Sequence, residues 1–470
     1  MLYPDSPLNH DISQISSAVA GLNLTQEAQT TIHQLPSELL SLIFELACTE
    51  NLLQEYPWES EYNEAPTELS SPVISYLPAL AISAVCLQWR SLALNLPSLW
   101  SRLKLEILEN STAPDAFMDT LRLYLERSAQ TPLFLDIFIG LFHVSNPPAL
   151  DLLLQHTRQW KTVRCITDRY LSNTPLSLPV LEDLTIGLVR GWVDDDIFHC
   201  FRAAPKLHAL TIYRGSDSLK EGLLSKLPPD QLTFLSTVLL YSEMDTLREL
   251  RNLTILELHV SGYKTDKPPI VLAGLKSFTL TVAHPFGIRA DRYLYIFHMF
   301  TFPSLTELVV RRDKDYRSDG KLVWSANAFN DFLSRSCCIL TTFSMSSISI
   351  SDLDFIAVLR RLPFLVTLGF DNLLVPDKQS PITTLFISSL TLRGSDSESE
   401  PDSMLVPNLC SVCINLVKGT LFDDHAFANM ILSRRLPHPS VVGVVPLRSV
   451  VLRFHAQDVG GENALGSGSE

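Results

Sequence analysis

The chain has 470 residues, of which 46% are hydrophobic and 19% charged, and its formal net charge is −14. This composition provides enough apolar material for a large core and excludes a mainly disordered chain. The negative charge repels phosphate backbones and anionic lipid, so we expect neither nucleic-acid binding nor membrane binding.

The N-terminal residues 1–30 are predicted to be disordered. They lack the positive start and apolar centre of a secretory signal, and the chain has no uninterrupted apolar stretch of about 18 residues or more. We therefore expect a cytoplasmic or nuclear protein. Its eight cysteines are then reduced thiols, most of them small core residues.

The first predicted helix begins at Pro36, which suits a first helical turn because its missing N–H costs little there. Leu39 and Ile43 lie four residues apart, with Leu40 and Phe44 beside them, and form one broad apolar face. A helix this short needs a packing partner to be stable in water. The sequence therefore predicts that another element covers this face.

An acidic segment with several prolines follows at residues 49–76, and it is predicted to be an exposed loop or disordered insertion. A second helical run begins at residue 77. In it Ala81, Val85, Trp89 and Leu92 fall on one helical face, and Pro97 ends the run.

Two short stretches carry a family resemblance. They read Leu35-Pro36-x-Glu38-Leu39-Leu40-x-x-Ile43-Phe44 and Val85-Cys86-x-x-Trp89-Arg90-x-Leu92-Ala93-Leu94-x-x-Pro97-x-Leu99-Trp100. Together they resemble an F-box of the kind that is abundant in fungal proteins and tolerates an insertion between its halves. The resemblance implies that residues 31–104 form a small all-α module that binds the Skp-type adaptor of a cullin-based ubiquitin ligase.

Interfaces of this kind are held by a few apolar and aromatic anchors that become fully desolvated. The candidate adaptor-binding residues are Leu35, Pro36, Leu39, Ile43, Phe44, Val85, Trp89 and Trp100. Some of them must instead hold the core of the module itself, and the sequence does not sort them. A generic helix pair that only caps the following domain is the alternative.

The rest of the chain alternates between helix and strand. A helical pattern from Ala116 to Ser128 is followed by alternating apolar residues from Leu133 to Ile139. The pattern Leu-x-x-Leu-x-Leu, with apolar substitutions, then recurs at residues 160, 181, 207, 253, 275, 305, 340, 365, 387, 409 and 447, with a weak copy at 232. Most intervals lie within or near the 20 to 29 residues of a leucine-rich repeat.

Helical segments that end at a proline lie between these copies, at 194–205, 290–303, 353–363 and 425–437. A doubly wound α/β domain would alternate in the same way, but no Gly-rich phosphate loop follows any predicted strand. The predicted fold class is therefore α/β: a small all-α F-box module, followed by an irregular leucine-rich-repeat solenoid over residues 105–455. A disordered tail at 456–470 completes the prediction.

Side chains between the strand leucines should face the concave side of such a solenoid, because side chains alternate along a strand. This surface is the candidate binding site for a protein target. Its candidate residues are Arg164, Tyr213, Glu257, His259, Arg311, Asp371, Arg393, Asn415 and Arg453.

We predict neither a metal nor a cofactor. Cys410 and Cys413 form a CxxC in a predicted strand, where residues three apart face opposite ways, and no second pair completes a zinc site. The acids Asp194 to Asp196 and Asp423 to Asp424 are explained by the dipole at helix N-termini. The acidic serine segment 394–404 is predicted to be a flexible loop, and phosphorylation of Ser395, Ser397 and Ser399 is a hypothesis.

These observations predict a non-enzymatic substrate receptor of a cullin-type (SCF) ubiquitin ligase. The F-box would bind the Skp-type adaptor and, through it, the cullin, while the repeat arc holds a protein target. Catalysis would then be proximity to an enzyme supplied by the complex. The alternatives are a repeat scaffold outside any ubiquitin ligase and, less favoured, an enzyme with a dispersed site.

Overall fold

A computed structural model describes most of the chain between residues 32 and 455. The described residues are 32, 35–54, 76–107, 115–139, 147–167, 171–172, 174–188, 199–214, 229–239, 244–260, 268–282, 296–313, 322–375, 380–392, 404–418, 422–437 and 443–455. The predictions for 1–30, for 456–470, for Asp194 to Asp196 and for Arg393 lie outside them. So do Ser395, Ser397 and Ser399 and most of the segment 49–76.

A parallel sheet of fourteen strands dominates the described part of the chain. Its strands follow one another in space in their sequence order, which is the topology of a repeat solenoid. They are β1 (Asn51–Gln54), β2 (Arg102–Ile107), β3 (Leu133–Ile139), β4 (Trp160–Thr167), β5 (Asp183–Leu188), β6 (Ala209–Arg214), β7 (Phe234–Val238), β8 (Ile255–Val260), β10 (Ser277–Val282), β12 (Glu307–Arg312), β13 (Thr342–Ser346), β14 (Thr367–Asp371), β15 (Ser411–Val417) and β16 (Ser449–His455). Two short strands, β9 (Ile270–Val271) and β11 (Phe300–Thr301), pair separately.

Helices lie before the sheet and in many of the connections between its strands. The α-helices are α1 (Ser37–Ala47), α2 (Pro78–Val85), α3 (Leu87–Leu94), α4 (Asp115–Ser128), α5 (Pro148–Leu154), α6 (Met244–Glu249), α7 (Ile296–Met299), α8 (Ala326–Ser336), α9 (Asp352–Arg360), α10 (Thr384–Leu390) and α11 (Asp424–Arg435). Short 3₁₀ turns occupy Pro97–Trp100, Thr157–Gln159, His199–Phe201 and Pro229–Gln231. Among the described residues, no helix is both long and apolar enough to span a bilayer.

The sheet is held by apolar side chains that stack in register from strand to strand. One such row, in chain order, consists of Leu105, Ile137, Cys165, Ile186 and Ile212, followed after β7 by Leu258, Leu280, Val310, Met345, Phe370 and Ile414. Every member of the row is buried. The residues between these positions are mostly half-buried, so one sheet face packs on the core and the other remains open.

The structure confirms most of the repeat prediction. Strands occur at the copies beginning at 160, 181, 207, 253, 275, 305, 340, 365, 409 and 447, and at the weak copy. The copy at 387 is wrong, because residues 384–390 form helix α10, whose first turn the Thr383 hydroxyl caps by accepting from the Phe386 N–H. Phe386, Ile387 and Leu390 are all buried on this helix, and their spacing fits a helix as well as it fits the repeat.

Two further helix predictions need correction. The run from residue 77 is broken at Cys86, which is extended, with φ −159° and ψ 171°, and separates α2 from α3. Of the segment 290–303, the structure describes residues 296–303, in which the short helix α7 ends at Met299 and β11 begins at Phe300, so the predicted helix does not continue to Pro303. In contrast, α4, α9 and α11 confirm the helices predicted around residues 116–128, 353–363 and 425–437.

The predicted insertion begins with an ordered strand. Residues 51–54 form β1, which pairs in parallel with β2 and opens the fourteen-stranded sheet. Asn51 and Leu53 are buried, because β1 packs against β2 and α4, and the Asn51 side chain reaches the start of α2. Alternation over four residues is too short a signal for a strand in an acidic segment, and the sequence therefore predicted a loop.

The buried amide of Asn51 joins the N-terminal helices to the sheet. Its Nδ2 donates to the carbonyls of Leu99 (2.9 Å) and Arg102 (3.1 Å). Its Oδ1 accepts from the Ala79 N–H (3.2 Å) and from the Tyr124 hydroxyl (3.2 Å). All four hydrogen-bonding positions of the amide are thus used, so the polar group is buried without an unpaired donor or acceptor.

Aromatic packing continues the same junction. The Trp100 ring meets Tyr124 edge-on, with centroids 5.0 Å apart, and the Arg127 guanidinium lies 4.3 Å from the centroid of the Trp100 ring. The indole N–H of Trp100 donates to the Ala93 carbonyl at 2.9 Å. The N-terminal helices and the solenoid therefore share one continuous core.

Replacing Asn51 with alanine should destabilise the whole chain. The substitution leaves two buried carbonyls, one N–H and one hydroxyl without their partner, which costs about 2 to 4 kcal/mol of unfolding free energy. Chemical denaturation followed by circular dichroism measures this loss. The exposed Asn429 on α11 provides the control, since N429A removes no buried hydrogen bond and alanine favours a helix, so this variant should not lower the midpoint. Equal midpoints for the two variants would contradict the role of Asn51.

Candidate functional site

Helix α1 carries two apolar stripes on nearly opposite sides. At about 100° per residue, Leu40, Phe44 and Cys48 form one stripe, and all three are buried. The second stripe consists of Leu39, Leu42, Ile43 and Leu46, which are 43%, 50%, 41% and 42% exposed. We call these four residues the outward apolar row. The single broad face that the sequence predicts is therefore divided into an internal and an external half.

Exposed apolar side chains continue on the next two helices. Val85 ends α2 with 57% of its surface exposed, and Leu87 and Leu94 on α3 are 81% and 44% exposed. The break at Cys86 separates Val85 from Trp89, and the Cys86 sulfur accepts the Trp89 N–H at 3.4 Å. Trp89 turns inward, and its ring lies 4.8 Å from that of Phe44. Val85 and Trp89 therefore do not share a helical face.

The structure sorts the predicted adaptor-binding residues by exposure. Pro36, Leu39, Ile43 and Val85 are exposed, whereas Leu35 and Trp89 are half-buried against the core. Phe44 and Trp100 are wrong as surface contacts, because they are 1% and 0% exposed and hold the internal packing.

Leu42, Leu46 and Leu87 are also exposed and are absent from the residues predicted from the sequence. Leu42 and Leu46 follow Leu39 at i+3 and i+7, so the helical spacing that predicted Leu39 could have found them.

The predicted target-binding residues other than Arg393 lie on the open face of the sheet, in two neighbouring rows. Arg164 and Glu257 belong to the row that includes Asp136, Thr185 and Thr279. The other row passes from His259 through Thr281 to Arg311, Ser346, Asp371, Asn415 and Arg453, each in register with the next. Tyr213 occupies the same row at β6, where it pairs with Gly187 and is 51% exposed.

Charges on the open face are largely balanced by neighbours. Near the N-terminal end, Arg164 donates to Asp136 at 2.7 Å, and Lys104 lies 3.7 Å from Glu50. Both pairs are partly exposed, so their contribution to stability is small. This end of the face is therefore polar without a strong net charge.

In the central strands of the open face, His259 on β8 and Arg311 on β12 lie on either side of Thr281 on β10. The pKa of His259 is lowered, first by burial and then by the Arg311 guanidinium, so the imidazole is neutral at neutral pH. The Arg311 Nε donates to the Thr281 hydroxyl at 2.9 Å.

Towards the C-terminal end, Asp371 accepts hydrogen bonds from the hydroxyls of Ser346 and Ser347. The face thus presents fixed polar groups over its central and C-terminal strands.

Two shallow depressions accompany the turns that enter the strands. One is lined by Gln130, Pro132, Gln155, His156, Arg158, Gln159 and Val180, and the other by Pro175, Leu176, Ser177, Leu178, Pro179, Ala203 and Pro205. Neither lining pairs a nucleophile with a base, which covalent catalysis requires. Within the described ranges, no three His, Cys, Asp or Glu side chains are grouped so that they could hold a metal ion.

Asp423, one of the acids that the sequence analysis singled out, caps a helix. Its carboxylate accepts the Ala426 N–H at 2.8 Å and the Thr384 hydroxyl at 2.9 Å. These two hydrogen bonds lower the pKa of Asp423. The group is therefore explained by the start of α11, in agreement with the prediction from the helix dipole.

Comparisons with known proteins identify no family. No family model matches the chain, and no curated protein matches it. Among solved structures, the crystal structure of a TLR13–ssRNA13 complex is similar, with 14% identity and a TM-score of 0.37 over 77% of this chain and 57% of that chain. The chain thus spans little more than half of that structure's length.

The fold class follows from the sheet itself. Strands of the described chain are parallel, ordered as in the sequence, and separated by segments that are frequently helical. This arrangement is a leucine-rich-repeat-like solenoid. The fold presents two candidate sites, which are the exposed apolar side chains of α1 to α3 and the open face of the sheet.

The internal stripe of α1 can be checked by thiol labelling of the native protein. Burial raises the pKa of Cys48 to about 12, so only ~10⁻⁴ of it is thiolate at about pH 8. Cys337 is exposed. Iodoacetamide should modify Cys337 at least 100-fold faster than Cys48, as followed by peptide mass spectrometry. Unfolding in guanidinium should remove most of the difference, and similar rates in the native protein would contradict the burial of this stripe.

Proposed function

We propose that the chain is the substrate-recognition subunit of a cullin-type (SCF) ubiquitin ligase. In this proposal residues 31–104 act as an F-box, and helices α1 to α3 bind a Skp-type adaptor, through which the cullin is recruited. The open face of the solenoid binds a protein target. The chain supplies no catalytic group, because its role is to hold the target close to a ubiquitin-charged enzyme.

The outward apolar row is the observation that carries the proposal. Four leucine and isoleucine side chains, each more than 40% exposed, lie on one side of a single helix. Their helix already buries Leu40 and Phe44 against the rest of the chain. An exposed apolar stripe opposite a satisfied core face is typical of a surface that a partner covers. The motif resemblance in the same residues points to the class of partner.

The energy of such an interface is concentrated in a few side chains. An interface of standard size buries roughly 1,600 Å² in total, and a central anchor contributes about 2 kcal/mol or more when truncated. Leu42 and Ile43 are neighbours in the middle of the outward apolar row and are the best candidates for such anchors. Phe44 and Trp89 hold the helix in place on its core side, where their ring centroids lie 4.8 Å apart.

The open face supports the second half of the proposal. It combines an exposed tyrosine, Tyr213, with arginines at Arg311 and Arg453. Tyrosine and arginine are enriched at protein interfaces, because each combines apolar contact area with a polar tip. The fixed carboxylate of Asp371 adds a directional acceptor between the two arginines. A mixed surface of this kind suits a protein target better than a small molecule.

A repeat scaffold outside any ubiquitin ligase is the second candidate. It is favoured by the shared core between the N-terminal helices and the sheet, since helices that only cap a solenoid would be built in the same way. The two candidates differ in the outward apolar row. A cap needs only the internal stripe, whereas an adaptor-binding module also needs the external one.

Substitution of the outward apolar row should abolish adaptor binding. L42E and I43D each place a carboxylate where the proposal requires apolar contact, so each should weaken binding of a fungal Skp-type adaptor by about 30-fold or more. Isothermal titration with the purified full-length chain measures the affinity. L353D is the matched control, because Leu353 is an equally apolar and 65% exposed side chain on α9.

The proposal requires that the wild type and L353D bind the adaptor alike while L42E and I43D do not. If L42E and I43D both retain binding, the outward apolar row is not part of the adaptor interface. An unmodified chain that fails to bind any Skp-type adaptor would leave the scaffold as the better interpretation. Circular dichroism of each variant separates a lost contact from a lost fold.

A further inference from the structure

The last strand of the sheet, β16, is paired on one side only within the described chain. Its neighbour is β15, and the register between the two runs without interruption from Ser449 to His455. The strand contains seven residues and neither proline nor glycine. A regular edge strand of this length presents a row of unpaired backbone groups and is a template for another extended segment.

The side chains of β16 are incompletely covered. In β15, Val412, Ile414 and Leu416 are 0%, 3% and 0% exposed. Their partners in register on β16 are Val450, Leu452 and Phe454, of which the first two are half-buried and Phe454 is 41% exposed. The buried apolar row that runs through the earlier strands therefore ends at β16, where the described residues leave it partly exposed.

Further apolar side chains are exposed in the same final repeat. Leu432 on α11 is 59% exposed, on the side of the helix opposite the buried Met430, and Leu436, which directly follows the helix, is 76% exposed. The other end of the solenoid is different, because Leu53 on β1 is 3% exposed and belongs to the core that the N-terminal helices share with the sheet. A solenoid normally needs a cap at both ends, and the described chain provides one at its N-terminal end.

The backbone directions show which groups face the open edge. The Ser449 N–H donates to the Cys410 carbonyl, and the His455 carbonyl accepts from the Lys418 N–H, so both residues bond towards β15. Successive residues of a strand point their N–H and C=O groups to alternate sides. Those of Val450, Leu452 and Phe454 therefore point to the open edge.

The charge of the β16 edge indicates which kind of segment would pair with it. Residues 447–455 contain Arg448, Arg453 and His455 and no acidic residue, in a chain whose net charge is −14. Pairing with a second copy would bring the basic side chains of both strands into one short junction. An acidic strand meets opposite charges there, and cross-strand pairs of opposite charge stabilise a sheet.

We propose that the open edge of β16 is a docking site for an extended segment of a partner protein, with acidic side chains alternating with apolar ones. The segment pairs with the backbone groups of Val450, Leu452 and Phe454 as a fifteenth strand. Its acids lie on the open face of the sheet beside Arg453. Its apolar side chains continue the row of Leu452 on the helix side. The site is independent of the outward apolar row.

Fluorescence anisotropy with a labelled heptapeptide of alternating glutamate and valine tests the site. The full-length wild-type chain should bind this peptide at least 10-fold more tightly than the matching lysine–valine peptide. V450P should weaken binding at least 10-fold, because proline removes an N–H that faces the edge and leaves the β15 pairing intact. V450A, which keeps that N–H, is the matched control and should bind like the wild type.

A second pair of variants tests whether binding depends on the charge of the edge. R453E should weaken binding of the glutamate–valine peptide at least 5-fold, whereas R202E changes the net charge equally at an exposed site in another repeat and should have no effect. Circular dichroism verifies that all variants fold. Equal binding by V450P and V450A would overturn the proposal, as would no binding by the wild type. A wild-type dimer that V450P converts to a monomer would instead assign the edge to a second copy.

Discussion

The structure depends on one buried amide at the start of the sheet. Asn51 bonds to the 3₁₀ turn before β2, to β2 itself, to the start of α2 and to Tyr124 on α4. A hydrogen bond in a buried setting is stronger than in water, and an unpaired polar group there is costly. The amide therefore fixes four elements in one arrangement. Trp100, packed between Tyr124 and Arg127, completes the same junction.

This junction has a consequence for function. Because the N-terminal helices share their core with the solenoid, the outward apolar row is held at a fixed position relative to the open face. Under the proposed function, such rigidity would help the chain to hold a target close to the ubiquitin-charged enzyme, since orientation of two reactants accounts for much of the rate gained. The same junction closes the N-terminal end of the apolar row, whereas at the other end the described residues pair β16 on one side only. Within the described chain the two ends of the solenoid therefore differ.

Local patterns predicted most of the strands, because most strands alternate buried and open positions and a period of two can be recognised within six residues. The same reading failed at residue 387, where the spacing of Phe386, Ile387 and Leu390 fits a helix equally well. The sequence pattern also predicted α2 and α3 as one helix, because no proline or glycine marks the extended residue Cys86 that separates them.

The candidate site was predicted in part. The resemblance pointed to the residues of α1 to α3 and the turn after them, and it named Phe44 and Trp100, which are buried, together with Leu39 and Ile43, which are exposed. Helical spacing shows which side chains share a face of the helix, but it does not show which face is turned towards the core. That information comes from β1 and Asn51, in a segment whose acidic composition predicted a loop. The rows of the open face followed from alternation alone, because the sheet has a single covered side.

The central claim is that the outward apolar row binds a partner while the internal stripe holds the fold. Hydrogen–deuterium exchange of the full-length chain, with and without a purified Skp-type adaptor, measures this most directly. The account predicts slower amide exchange in residues 37–47 and 78–94 on adding the adaptor, with unchanged exchange in β3 to β15. Unchanged exchange in the helices at saturating adaptor, or protection confined to the open face of the sheet, would contradict it.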